Sequence, residues 1–152
     1  MGFSSRSHYG TRAMLELALR EGEGPVQLER LSSEQDIPER YLSKLFQELR
    51  RAGLIRSVRG AHGGYLLARR PDEIRLMEIV RCLDGSVAPT ECVEHPGRCD
   101  NATECVAREV WAEVNQAILG VLGNMTLRDL AARCRGKERK HAQVGATEEQ
   151  GD

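Results

Sequence analysis

Apolar residues recur with helical spacing along most of this chain. Over residues 7–20, Tyr9, Ala13 and Leu17 return every fourth position, with Met14 and Ala18 beside them, which predicts a helix. "EGEGP" at 21–25 breaks it. Residues 27–35 read as a second, short helix with Leu28 and Leu31 facing inward. Asp36-Ile37-Pro38 is a turn, and Pro38 suits the first turn of a third helix, where a missing N–H costs nothing. That helix spans 38–52 with the stripe Leu42, Leu45, Phe46 and Leu49, and Gly53 fits its C-terminal cap.

The period then shortens. Residues 55–59 and 65–68 read as two strands, with Gly60, Gly63 and Gly64 in the connection. A fourth helix fits 74–84, through Leu76, Ile79, Val80 and Leu83. A long helix fits 102–122, with the stripe Val106, Val110, Val114, Ile118 and Val121, widened by Trp111 and Leu122. Thr126 and Asp129 suit a variant capping box for a last short helix, which Met125 and Leu130 can staple. Beyond Cys134 the chain is polar and poor in large apolar groups, so 134–152 is expected to be disordered.

Composition narrows the class. Only 4% of the 152 residues are aromatic and 30% are charged, as in a helix-rich protein with much exposed surface. No apolar run is long enough to span a membrane, and no secretory signal opens the chain, so a cytoplasmic location is expected. Met1-Gly2 begins like a myristoylation signal, but Arg6 stands where that signal needs a hydroxyl. The net charge of −1 hides an asymmetry: residues 38–70 hold eight Lys or Arg against two acids, while 71–152 hold ten against fifteen. A basic block in a near-neutral chain points to a polyanion.

Two short helices joined by a turn, the second one basic, and a two-stranded wing make a winged helix-turn-helix. With its apolar stripe inward, the third helix turns Arg40, Ser43, Lys44 and Arg50 outward. The start of such a helix enters the major groove, so Arg40, Ser43 and Lys44 are candidates for base and phosphate contacts. Arg59, at the wing tip, suits a narrow minor groove.

"PTECVEHPGRCDNATECVAREVW", residues 89–111, gathers Cys92, Cys99 and Cys105. In a reducing compartment such a group means metal or redox chemistry more often than disulfides. Asn101 and Glu104 can box the long helix and place Cys105 in its first turn, where negative charge is favoured. Gaps of six and five residues are unlike the tight pairs of zinc ribbons and favour iron–sulfur over zinc. Either metal wants a fourth ligand that the three thiols do not supply. Cys82 and Cys134 read as helix-face residues.

Residues 2–133 resemble the IscR-type regulators, the bacterial winged-helix group that includes IscR, NsrR and CymR. The resemblance lies in "YGTRAMLELAL", "IPERYLSKLFQELRRAGLIRSVRGAHGGYLLAR", the three cysteines followed by "VW", and "VLGNMTLRDL". It implies a homodimer built on the long helix, palindromic operator DNA, and an iron–sulfur cluster on Cys92, Cys99 and Cys105, 2Fe–2S ahead of 4Fe–4S. Family positions put base reading at Arg40, Ser43 and Lys44 and the minor-groove contact at Arg59. Two departures stand out: the first cysteine gap is one residue longer than in IscR, and Arg108 stands where IscR has a ligating His. By resemblance to the nitric-oxide-sensing members, the fourth ligand falls on His8 of the partner subunit. His95, then Glu104 and Asp100, are the alternatives.

The expected architecture is mainly α with a small β-wing, a winged helix-turn-helix plus a long dimerisation helix. A DNA-binding domain covers 2–84 (helix-turn-helix 28–51, wing 55–68), a cluster-binding loop 85–105, and dimerisation helices 102–133. The expected function is transcriptional regulation by a cluster that senses cluster status, iron, oxygen or nitric oxide. Two other readings remain open: a cluster-free regulator using the thiols as a redox switch or zinc site, and an iron–sulfur carrier or scaffold. No constellation suits an enzyme.

Overall fold

Ser4 sets where the first helix begins. Its hydroxyl accepts the Arg6 amide at 3.0 Å, so α1 runs Ser5–Leu19, starting two residues before the expected start at 7. The computed structural model describes the backbone of residues 3–148 and the side chains of residues 3–140. Met1-Gly2 of the discounted lipidation signal, and residues 149–152 of the expected disordered tail, lie outside the described residues.

Helix α2 (Leu28–Gln35) ends at Asp36, whose φ of 52° is left-handed. The Ile37 amide donates to the Ser32 carbonyl at 3.0 Å, and the Ser32 hydroxyl donates to the Ile37 carbonyl at 2.6 Å. These bonds fix the turn into α3 (Glu39–Arg51). Its end is a Schellman motif: the Leu54 amide reaches the Leu49 carbonyl and the Gly53 amide the Arg50 carbonyl, both at 3.0 Å. Leu49 and Leu54 are both buried, supplying the apolar contact of that motif.

The wing is an antiparallel pair, β1 (Ile55–Val58) and β2 (Gly64–Leu67), with Ile55 opposite Leu67 and Val58 opposite Gly64. Val26 adds an isolated bridge to β2, exchanging backbone bonds of 3.0 and 2.8 Å with Tyr65. The approach is too close for a side chain at Gly64: a Cβ would lie 2.4 Å from the Val26 carbonyl oxygen, and φ is 144°.

After a 3-10 turn at Pro71–Glu73 comes α4 (Leu76–Asp84), two residues later than the expected start at 74. Residues 74–76 are taken by a different partner. The Leu76 amide donates to the Met125 carbonyl at 2.9 Å, and the Leu127 amide to the Ile74 carbonyl at 3.0 Å. This bridge ties the head to the chain's last helix.

Between α4 and the long helix lie one turn of helix, α5 (Glu91–Glu94), and a 3-10 turn at Pro96–Arg98. The long helix α6 spans Val106–Asn124, against the expected 102–122. Thr126 and Asp129 form the expected box before α7, with amide bonds of 2.9 and 3.2 Å. Helix α7 then runs Leu127–Glu148, which corrects the expectation of disorder over 134–148. Once nucleated and capped, a helix needs only residues that propagate it. This stretch has no proline and many Arg, Lys, Glu and Ala.

The core joins α1, α2, α3, α4 and the start of α7. Ala13, Met14, Leu31, Leu42, Leu45, Phe46, Leu49, Ile74, Ile79 and Leu127 are fully buried. Helices α1 and α4 meet at Gly10, where a Cβ would come within 2.2 Å of Leu83 Cδ1. Phe46 packs edge-on to Tyr65, ring centres 4.9 Å apart, so the third helix and the wing share one core. Phe46→Ala is therefore expected to cost about 3–5 kcal/mol, read as a lower midpoint in urea unfolding.

Candidate functional site

One face of α3 is wholly buried, so the other must meet solvent. Arg40 and Lys44 are one turn apart and exposed, with half-buried Ser43 between them, on the first two turns of the helix. Arg50 is exposed at the far end, and Arg59 is exposed just past β1, in the turn between the strands. The structure thus brings Arg40, Ser43 and Lys44 together on one patch, with Arg50 and Arg59 spread along the same basic block.

The ion pairs sharpen this. Of the eight cations in 38–70, Arg69 pairs with Glu78, and Arg70 with Asp72 at 2.8 Å. Arg40, Lys44, Arg50, Arg51, Arg56 and Arg59 make no ion pair among the described residues. Charges left without carboxylate partners on a solvent face are available to phosphates.

Sequence reasoning missed the groups that seat this helix from behind. The Arg6 Nη2 donates to both carboxylate oxygens of Glu48, at 2.8 and 2.6 Å, and its Nε donates to the Leu83 carbonyl at 3.0 Å. Beside it the Ser4 amide donates to Asp84 Oδ2 at 2.9 Å, and the Ser4 hydroxyl donates to Oδ1. One end of α1 thereby joins α3 to the end of α4, where the cysteine segment begins. No local pattern marks Arg6 and Glu48, which are 42 residues apart in sequence.

All five cysteines are free thiols; Cys99 is exposed, and Cys92 and Cys105 are half-buried. Cys105 is the N-cap of α6, not part of its first turn, and no side chain caps that helix. The expected Asn101–Glu104 box is absent because residues 101–104 form a turn of their own, with the Glu104 amide on the Asn101 backbone carbonyl at 3.2 Å. Thr90 Oγ1 lies 3.2 Å from Cys92 Sγ. Among the described residues, no group of three or more His, Cys, Asp and Glu side chains is gathered to hold a metal ion. His8 is exposed on α1 beside Tyr9, and His95 is exposed with Nε2 3.9 Å from Glu94. Three thiols on one short loop fit an iron–sulfur cluster as a donor set, while their assembly around it is not preformed. Cys82 lies apart, on α4, where burial pushes its thiol pKa up.

Helix α6 carries an apolar stripe that the described residues leave largely exposed. Val106, Val110, Trp111, Val114 and Val121 are all exposed, and no residue of the helix is buried. No helix among the described residues is long and apolar enough to cross a membrane.

Comparison with known proteins agrees with this geometry. Residues 3–133 match the family model "Rrf2: Iron-dependent Transcriptional regulator". The chain is 38% identical over 138 residues to the transcriptional regulator CymR of Bacillus subtilis, covering 91% of this chain and 95% of that one. The solved structure of that protein, described as the global cysteine regulator of its organism, superposes with a TM-score of 0.76, covering 88% of this chain and 98% of that one. The transcriptional regulator IscR of Serratia proteamaculans is 39% identical over 130 residues, 86% of this chain and 79% of that one. The structure of T. potens IscR, 39% identical, gives a TM-score of 0.73 over 88% of each chain. The winged-helix architecture is shared with these structures.

The Ser4–Asp84 contact has a consequence for pH. Burial pushes the Asp84 carboxyl up, but the bonds from Ser4 and the charge of Arg6 more than offset this, leaving it below its ordinary value. A carboxyl depressed by folding stabilises the folded state above its unfolded pKa of about 3.9, and that contribution is lost as pH falls through the folded value. Asp84→Asn should therefore flatten the acid limb of melting temperature against pH below about pH 4. Parallel acid limbs for the two proteins would show that this contact carries no linkage.

Proposed function

The chain belongs to the Rrf2 family of transcriptional regulators, and from that premise we propose that it is a homodimeric, cytoplasmic regulator whose binding to a palindromic operator is set by an iron–sulfur cluster. The observation that carries the DNA-binding half is the outward face of α3, with Arg40, Lys44 and Arg50 unpaired and Arg59 unpaired on the wing. Arg40, Ser43 and Lys44 would read base edges and phosphates in the major groove, and Arg59 the flanking minor groove. The uncovered stripe of α6 supports a second copy as its partner, since such a stripe is poorly suited to water.

Cys92, Cys99 and Cys105 would hold the cluster, 2Fe–2S ahead of 4Fe–4S, with His8 of the partner subunit as the fourth ligand. When bound, the cluster supplies a centre that responds to iron supply, oxygen or nitric oxide. The chain's own part is to bring the ends of α4 and α6 to a fixed separation through the loop. A second reading is a thiol switch or zinc site without a cluster; the thiol switch is favoured by one observation, that the three thiols are free and not gathered, whereas zinc would need them gathered as a cluster does. The similarity to CymR is compatible with it. A carrier or scaffold role leaves the unpaired cations of α3 without a purpose.

Arg40→Ala and Lys44→Ala are each expected to weaken specific operator binding by about 1–3 kcal/mol in fluorescence anisotropy at fixed salt. Wild-type affinity in both would remove α3 as the reading element. For the cluster, anaerobically isolated protein should absorb in the visible range. Changing Cys92, Cys99 or Cys105 to Ala should abolish the band, while Cys82→Ala and Cys134→Ala should keep it. A colourless wild type that still binds the operator, and loses it on thiol oxidation, would establish the second reading instead.

A further inference from the structure

Arg108 sits at the third position of α6, and its side chain turns back from the helix. Nε donates to the Cys92 carbonyl at 2.9 Å, and Nη1 donates to the Ala102 carbonyl at 3.3 Å. Ala102 is itself a fixed point: it is 8% exposed, and its amide donates to the Cys99 carbonyl at 3.2 Å. Cys105 is the N-cap of the same helix, and its carbonyl accepts the Glu109 amide at 3.3 Å. One guanidinium therefore holds the segment of the first cysteine directly, that of the second through Ala102, and that of the third through the helix carrying both.

We propose that Arg108 is the positioning residue of the cysteine loop, a strut that holds the backbones of all three thiol segments at the start of α6 before any metal binds. The physical need is plain. Residues 85–105 hold only a single turn of helix and a 3-10 turn, and most of their side chains face solvent. Closing such a loop around a ligand costs chain entropy, and less remains to be lost if part of the closure is already made. The planar fork of Arg can serve two carbonyls from separate segments at once. A Lys ammonium keeps the charge but lacks the fork. The bonds go to main-chain carbonyls, so Arg108 acts on ligand placement without touching sulfur or metal. The inference rests on the loop being the cluster-holding element, and it makes the loop's order a property of the metal-free protein.

The test separates the two. Hydrogen exchange of the chelator-treated, reduced protein is followed in wild type, Arg108→Ala and Arg108→Lys. Loop amides 92–105 are expected to exchange about tenfold faster in both variants, as for loss of bonds worth roughly 1.4 kcal/mol. Amides of α1 and α3 should be unchanged, showing that the variants are folded. Wild-type exchange in the loop of Arg108→Ala overturns the proposal. Wild-type exchange in Arg108→Lys also overturns it, because charge alone would then suffice. Anaerobic loading with iron and sulfide is the second arm. With all cysteines in place, cluster lifetime against a chelator should fall about 10–100-fold in Arg108→Ala, the size usual for groups that orient metal ligands. An unchanged lifetime counts against ligand positioning. A wild type that takes up no iron and sulfide overturns the cluster reading, and loop exchange alone then decides the role of Arg108.

Discussion

The burial of one face of α3 is the constraint on which the rest of this molecule turns. Leu42, Leu45, Phe46 and Leu49 are completely removed from solvent, and each such side chain contributes about 1.5–3 kcal/mol. No rotation of the helix about its axis keeps all four inside, so its outward residues are fixed as well. The same burial locates the wing. Phe46 meets Tyr65 on β2, Leu49 meets Leu54 at the Schellman turn, and Tyr65 is tied by its backbone to Val26. Helix α3 and the wing are therefore one rigid body, and the spacing between Lys44 and Arg59 is a property of the core.

The same core holds that body to α1, α4 and the start of α7, and the polar contacts at its edge are of a different kind. Arg6 and Glu48 are each more than a third exposed, so their ion pair is worth no more than about 1 kcal/mol. The bond from Arg6 to the Leu83 carbonyl adds about as much again. Such contacts add little to stability beside the core. They do fix direction: a guanidinium bonded at once to α3 and to the last turn of α4 allows few relative orientations of the two. Asp84 closes the arrangement through Ser4, and Gly85, with a φ of 80°, releases the chain into the cysteine segment immediately afterwards.

Most of the head could be read from the sequence because its signals are local. The stripe at 42, 45, 46 and 49, the Gly53 stop, the wing glycines and the Thr126–Asp129 box each lie within a few residues, and the structure has them all. The misreadings share the opposite property. Residues 74 and 75 look helical but bridge to 125–127, a partner about fifty residues away, and α4 begins only at Leu76. The long helix starts at Val106 because residues 101–104 close a turn that the Asn101 and Glu104 side chains do not announce. The stretch over 134–148 reads as disorder from its sequence because it is poor in large apolar residues, yet it continues α7. Burial is needed to dock a helix, but not to continue one. The arrangement of the three thiols was illegible for the same reason: their spacing states which residues are available, and only long-range bonds state where their backbones go.

Those bonds give the loop a definite mechanical form. At its entrance, Arg6 grips the Leu83 carbonyl and, through Glu48, helix α3. At its exit, Arg108 grips the carbonyls of Cys92 and Ala102 from the first turn of α6. Both guanidinium groups bond main-chain oxygens, so both respond to backbone position; Arg6 also depends on a side-chain partner, Glu48. A change confined to the loop has two rigid outlets, α4 toward α3 and the wing, and α6 toward its exposed apolar stripe. In the proposed homodimer, the separation between the two copies of α3 would depend on how α6 meets its partner, and their tilt on how α4 meets α3. A ligand on the loop can alter DNA affinity only by differing in its free energy between two such arrangements. The three cysteines lie on the segment where entrance and exit are joined, so a ligand bound to them, as proposed, would act on both outlets at once.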